Sequence, residues 1–193
     1  MTRFFVTPQE LQPDFLVLTG ENAQHAKVLR IKCGEQVLIC DGQGRECLCT
    51  VSDVGAGQIS LVVQKRQASE SEAVVRASVY MAFAKSDKLE HVIQKATELG
   101  AYEIVAFPSA RCVSRPDDKS LEKKLERWQK IAASAAEQSG RGRIPQVLTL
   151  PSYKAALERA AQADKALLFY ENEQSTTLKM ALREGKYETV SLL

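Results

Sequence analysis

The sequence predicts two units, a small all-β unit followed by an α/β unit built on a mainly parallel sheet. Three observations predict it. Residues 1 to about 70 hold short apolar or alternating runs separated by glycine turns. Gln64 to Glu72 is a polar stretch with the composition of a linker. Beyond it strand patterns alternate with amphipathic helices, which implies parallel strands joined by right-handed crossovers with helices on both faces. The 193 residues suffice for two modest domains, and the boundary is placed near residue 72, giving 1–72 and 73–193.

In the first unit, Phe15 to Leu18, Val37 to Cys40, Glu46 to Val54 and Gln58 to Val63 read as strands. Asp41-Gly42-Gln43-Gly44 and Gly55-Ala56-Gly57 are hairpin signals between the later ones. A short helix is expected over Asn22 to Arg30, closed by the Lys32-Cys33-Gly34 turn. In the second unit Val74 to Phe83 opens the sheet. Leu89, Val92, Ile93, Ala96 and Leu99 repeat at helical spacing, with Ser86 as a cap and Gly100 as a stop. Ile104 to Phe107 is a strand, and Leu121, Leu125, Trp128, Ala132 and Ala135 line one face of a long helix. The strand Val147 to Leu150, a helix Tyr153 to Ala163, the strand Ala166 to Tyr170, a helix near Thr177 to Glu184 and the strand Glu188 to Leu193 complete the series. This last strand reads as buried and has no exit loop, so the natural chain is expected to continue past it.

Composition excludes several classes. No apolar run approaches the ~18 residues of a membrane span, and the amino terminus lacks a secretory pattern. Five cysteines without a C-x-x-C pair favour neither zinc nor a disulfide framework; a reducing cytoplasm fits, and no metal is expected. There is no phosphate-binding loop, nucleophile elbow or zinc-protease motif. His25 and His91 stand apart from any ligand set. The charge is +2 overall, yet residues 111–143 carry nine basic and five acidic groups. A local basic excess suits a polyanion, because lysine and arginine release counterions from phosphates; the alternative is a solvated helix face laced with ion pairs.

Two polar groupings remain. The helix over Asp87 to Leu99 turns Lys88, His91, Gln94, Lys95 and Glu98 away from its apolar stripe. The long helix runs into Glu137-Gln138-Ser139-Gly140-Arg141-Gly142-Arg143-Ile144-Pro145, where two arginines flanked by glycines could grip a phosphate bidentately. A helix C-cap decorated with dipole-matching arginines is the competing reading.

Lys85-Ser86-Asp87-Lys88-Leu89-Glu90, Ile93 to Gly100, Arg111-Cys112-Val113-Ser114, Arg127-Trp128 and Ala136 to Arg141 with Ile144-Pro145 strongly resemble the RsmE family. Arg3 to Val6, His25 to Arg30 and Asp41-Gly42 look like that family's amino-terminal barrel. The resemblance spans the whole chain and implies a PUA-like RNA-binding β-barrel followed by a SPOUT-type, trefoil-knotted methyltransferase domain. It further implies a cytoplasmic homodimer that uses S-adenosylmethionine to methylate N3 of a uridine in 16S rRNA of the small ribosomal subunit. The family's Gly-Pro-Glu-Gly-Gly and Leu-Arg-x-Glu-Thr-Ala segments are not among these residues, so the knot is expected to be incomplete and residues 1–193 alone inactive.

Methyl transfer needs alignment and management of the N3 proton, not a nucleophile or metal. Arg141 is the candidate for stabilising a uracil anion, with Gln138 and Glu98 positioning. Glu171, Leu192 and Leu193, at strand carboxyl ends, are the candidates for the donor pocket. Arg3, Lys27, Arg30, Lys85, Lys88, Arg111, Arg115 and Arg143 are the expected RNA contacts. The alternative from another class is a non-catalytic rRNA-binding module, a β-barrel on an α/β platform.

Overall fold

The computed structural model describes residues 1–112, 117–183 and 185–193 and separates into two units: 1–72 with 136–144, and 73–135 with 145–193. The first contains β1 (Arg3–Phe5), β2 (Phe15–Leu18), α1 (Gly20–Val28), β3 (Gln36–Cys40), β4 (Arg45–Val54) and β5 (Ile59–Ala68). They form one sheet in the order β1-β3-β4-β5-β2, with β1 parallel to β3 and the other pairs antiparallel. Alternation along the strands decides its inner face. Val37, Ile39, Cys47, Cys49, Val51, Ile59 and Leu61 all point into one core with Phe4, Leu16, Leu18 and Ala26. Each such leucine or isoleucine contributes roughly 1.5–3 kcal/mol by leaving water.

Two features differ from the sequence reading. β1 is an additional strand. Its Arg3 guanidinium donates to the buried Glu46 carboxylate at 2.9 Å. And β5 continues to Ala68, five residues into the expected linker, because Gln67, Arg66 and Lys65 pair with Glu46, Cys47 and Leu48 of β4. Arg66 earns its place there: its guanidinium donates to the carbonyls of Leu11, Gln12 and Pro13 and to Asp14, tying down the loop between β1 and β2.

The second departure from a single boundary is residues 136–144. This segment belongs to the first unit, where it runs along the β3–β4 turn: Gly44 N–H donates to Gly142 O at 3.2 Å and Ile144 N–H to Gly42 O at 3.0 Å. Glu72 is its anchor. One carboxylate oxygen accepts from Arg141 Nη2 at 2.7 Å, and the other from the N–H groups of Gly142 and Arg143, both at 2.9 Å. Gly142 is required by space, since a β-carbon there would overlap the Ser69 side chain.

The second unit holds β6 (Arg76–Ala82), α2 (Ser86–Glu98), β7 (Glu103–Phe107), most of α3 (Asp118–Gln138), β8 (Gln146–Thr149), α4 (Tyr153–Ala160), β9 (Lys165–Leu167), α5 (Leu178–Arg183) and β10 (Thr189–Leu192). As the alternation of strands and helices implied, every pair in the sheet is parallel, in the order β8-β7-β6-β10-β9. α4 packs on Tyr80, Val105 and Phe107 through Ala156 and Ala160. It is pinned by Arg159, whose guanidinium donates to both oxygens of Glu103 at 2.8 and 2.9 Å and to Tyr80 Oη at 3.1 Å. α2 buries Leu89, Ile93 and Ala96 of the five positions its periodicity singled out; Val92 is half-buried, and Leu99, at the helix end, is 87% exposed. Among the described residues no helix is long and apolar enough to cross a membrane, and no His, Cys, Asp and Glu cluster could hold a metal.

Replacing Glu72 with alanine is expected to cost about 3 kcal/mol, because it removes the carboxylate that a nearly buried guanidinium and two N–H groups share. Arg141→Ala should cost a similar amount, and the double variant clearly less than the sum; additive losses in urea unfolding would show that the pair is not coupled.

The buried thiols generate a pH dependence. Burial pushes Cys40 and Cys49 from an ordinary 9.0 up to about 12, in the first case against the opposing pull of Arg3. A raised folded value means stability is complete below about 9 and lost as pH rises from there towards 12, since the unfolded chain releases these protons first. Exposed Cys33 should therefore react with a disulfide reagent at pH 8 in the native protein, and Cys40 and Cys49 only after unfolding. Equal rates for all three would contradict this packing.

Candidate functional site at the carboxyl ends of the parallel sheet

In an open parallel sheet, ligands sit beyond the carboxyl ends of the strands, near the point where the strand order reverses. Here the chain builds outward from β6 to β7 and β8, then crosses to β9 and returns to place β10 against β6, so the reversal falls between β6 and β10. Past the end of β9 the backbone stays extended: Phe169 N–H donates to Leu193 O at 2.8 Å and Leu193 N–H to Leu167 O at 2.9 Å.

That edge is one wall of a cavity of about 400 Å³ lined by Leu167 to Tyr170, Glu173, Thr176, Thr177, Leu178 and Ala181. Its walls mix apolar side chains with polar ones and are partly open: Phe169 is 58% exposed and Leu178 47%. Its loop is held from within. The Glu173 carboxylate accepts from the Ser175 hydroxyl and from the N–H groups of Ser175 and Thr176, which keeps it below the usual carboxylate range. A cleft of this size, with apolar side chains beside hydroxyls and a carboxylate, suits a ligand of nucleoside dimensions.

The same rim carries cations. Lys85 and Lys88, both exposed, stand where β6 passes into α2, and exposed Arg111 lies in the loop leaving β7. β6 and β7 are neighbours, so their exits share the carboxyl end with the cavity.

Of the residues expected to bind a donor, Leu193 ties the cavity wall through its backbone, Leu192 pairs with Leu167 beside it, and Glu171 lies exposed in the adjoining loop. Of the expected catalytic trio, Arg141 and Gln138 belong to the first unit and Glu98 to the second. Arg141 is 4% exposed, and its guanidinium is committed to Glu72. Gln138, though exposed, ends α3 in the first unit. Glu98 lies at the far end of α2, about 18 Å along the helix from the β6 exit; it accepts from Lys95 Nζ at 2.7 Å, a bond that holds its carboxyl low.

The expected RNA contacts separate in the same way. Lys27, Arg30, Lys85, Lys88 and Arg111 are exposed. Arg3 is corrected to an internal group, its side chain 11% exposed and paired to Glu46. Arg143 donates to Gln43 O at 2.7 Å, and Arg115 lies outside the described residues. The cavity residues Glu173, Thr176, Thr177 and Leu178 were missed by the sequence reading. The available signal was the polar run from Glu171 to Thr177 directly after an apolar strand.

Residues 70–193 match the family model of an RNA methyltransferase domain, and residues 18–64 that of an RNA methyltransferase PUA domain. The chain is 38% identical over 176 residues to Ribosomal RNA small subunit methyltransferase E of Bacillus subtilis, covering 89% of this chain and 68% of that protein. To the protein of the same name from Mycobacterium tuberculosis it is 37% identical over 163 residues, covering 81% of this chain and 61% of that one. Its fold matches the crystal structure of a Ribosomal RNA small subunit methyltransferase E from Neisseria gonorrhoeae bound to S-adenosyl methionine, with a TM-score of 0.83 and 23% identity over 100% of this chain and 79% of that one. A putative methyltransferase from Legionella pneumophila, in complex with the same cofactor, superposes with a TM-score of 0.77 and 27% identity, again over 100% of this chain and 78% of that one. Sequence, domain order and fold agree: the chain belongs to the Ribosomal RNA small subunit methyltransferase E family, an RNA methyltransferase domain preceded by its PUA domain.

Proposed function

We propose that the protein takes part in S-adenosylmethionine-dependent methylation of small-subunit ribosomal RNA, the methyl group going to N3 of a uridine. The observation that carries this is the nucleoside-sized cavity of mixed polar and apolar lining at the carboxyl ends of β9 and β10, within the domain that matches the methyltransferase model. Bound S-adenosylmethionine supplies an electrophilic methyl carbon. Leu167, Leu168, Phe169 and Leu178 offer apolar surface to its apolar parts, and the Thr176 and Thr177 hydroxyls are the groups available to its ribose. Leu192 and Leu193 keep that wall in place, with Glu171 at its edge.

Uridine N3 must lose its proton to attack, so the site has to make a uracil anion less costly. Cations on the same rim do this, which assigns Lys85, Lys88 and Arg111 to the RNA and leaves Arg141 to the fold. On the PUA unit the RNA contacts are assigned to Lys27 and Arg30, both exposed. Action in the cytoplasm as a homodimer completes the reading and follows the family resemblance; sedimentation of the purified protein tests the dimer.

The functional test is transfer of labelled methyl from the donor to small ribosomal subunits. A methyl at N3 occupies the pairing edge of the base, so the product should stop reverse transcription at one uridine. Incorporation without such a stop would reject N3 as the acceptor, and no incorporation into small-subunit RNA would reject the reading itself.

Leu178→Arg should weaken donor binding at least tenfold in calorimetry while rRNA affinity stays within twofold, since it closes the cavity without touching the cationic rim. Replacing Lys85 and Lys88 with alanine should act the other way, leaving the donor bound and lowering rRNA affinity. It should also reduce the slope of log affinity against log salt by about 0.7 per lost phosphate contact. An unchanged slope would mean that these lysines do not face the backbone of the RNA.

A further inference from the structure

The geometry at the end of α1 points to a second, separate RNA contact. We propose that this tip is a composite binding point in which Arg30 grips a phosphate and the Val28–Leu29 shoulder takes the adjoining unstacked base. The proposal deepens the rRNA reading and rests on it.

The observation is a backbone in the wrong residue's conformation. α1 closes with two hydrogen bonds, from Arg30 N–H to Lys27 O at 3.0 Å and from Ile31 N–H to Ala26 O at 3.1 Å. That double closure requires the residue after the Leu29 cap to be left-handed, which is why glycine usually stands there. Arg30 stands there instead, with φ of 57°, and among the described residues it is the one non-glycine with positive φ. A side chain in this region strains the backbone, and such strain persists where something else maintains it.

Among the described residues nothing in the fold calls for an arginine side chain at this position. The Arg30 side chain is exposed, and among the described residues it makes no ion pair or side-chain hydrogen bond. The closure itself is secured by Ile31, which is buried in the core of the barrel unit. Complementing the helix dipole is no explanation either, because His25 and Lys27 already occupy the last turn.

What surrounds Arg30 indicates the ligand. From Asn22 to Gly34 there is no acidic residue, while Lys27, Arg30 and Lys32 are all exposed. Between them Val28 is 68% exposed and Leu29 46%, an apolar pair placed at the tip of a helix with cations on either side. An acidic protein surface would use the charges and leave the shoulder wet. Single-stranded RNA uses both, since its phosphates pair with guanidinium and its bases can leave the stack to lie on an apolar surface.

The experiment combines stability and affinity. Arg30→Gly relieves the backbone and removes the cation, so it should raise Tm by about 2–4 °C and lower affinity for small-subunit rRNA at least fivefold. Arg30→Lys keeps charge and strain and should hold Tm unchanged with affinity between the two. Val28→Ser with Leu29→Ser should weaken binding at an unaltered salt slope, marking an uncharged contact. A glycine variant that keeps rRNA affinity within twofold overturns the proposal, as does one with lowered Tm, which would show the arginine serving the fold. Failure of the unaltered protein to bind small-subunit rRNA is a different result: it removes the functional reading and this inference with it.

Discussion

The carboxylate of Glu72 is the constraint on which the first unit's architecture rests. It is the last residue before the chain enters the α/β unit, and it receives Arg141 and the next two backbone N–H groups when the chain comes back. A carboxylate with three donors in good geometry recovers the cost of leaving water, which an isolated buried charge cannot. His25 adds a second fastening by contacting Glu137 at 3.1 Å. The first unit is therefore fastened by residues distant in sequence, and the arginine-glycine segment that looks like a ligand loop supplies this fastening.

Sheet polarity is the second constraint, and it decides where chemistry can happen. Parallel strands send all their exits to one end, so Lys85, Lys88, Arg111 and the cavity beside Leu193 meet there without any one motif specifying them. The opposite end is used for structure. Arg159 grips Glu103 at the start of β7, and Asp164 accepts from the N–H groups of Glu188 and Thr189 at the start of β10, contacts that hold its carboxyl below the usual range.

Legibility in the sequence followed the range of the interactions. α2 is readable because Leu89, Ile93 and Ala96 recur at the period of one helix and are buried as that period requires, although Leu99, where the helix ends, escapes to solvent. β1 is not, since three residues carry no period and its partner, β3, begins at Gln36. The end of β5 looked like a linker because Gln64 to Gln67 are polar; their backbone pairing with β4 is indifferent to that polarity. The cavity was half visible. An apolar strand followed by a polar loop located it, but its lining by α5 depends on a fold-back that no local pattern encodes.

Charge was the least legible property, for a reason specific to arginine. The +4 of residues 111–143 suggests a basic face, yet Arg127 is paired with Glu90 and Arg141 with Glu72. Elsewhere Arg3, Arg45 and Arg159 are paired with Glu46, Asp41 and Glu103, and Arg66 is spread over three carbonyls and Asp14. A planar guanidinium with five donors is the better internal tie, whereas lysine's point charge is strongly hydrated and stays in water. Counting the two together therefore overstates the basic surface wherever arginine is abundant. The cations left to meet a polyanion are the exposed lysines and the few arginines without a carboxylate. Arg30 belongs to that remainder, and it stands at a left-handed backbone position where glycine is the usual residue.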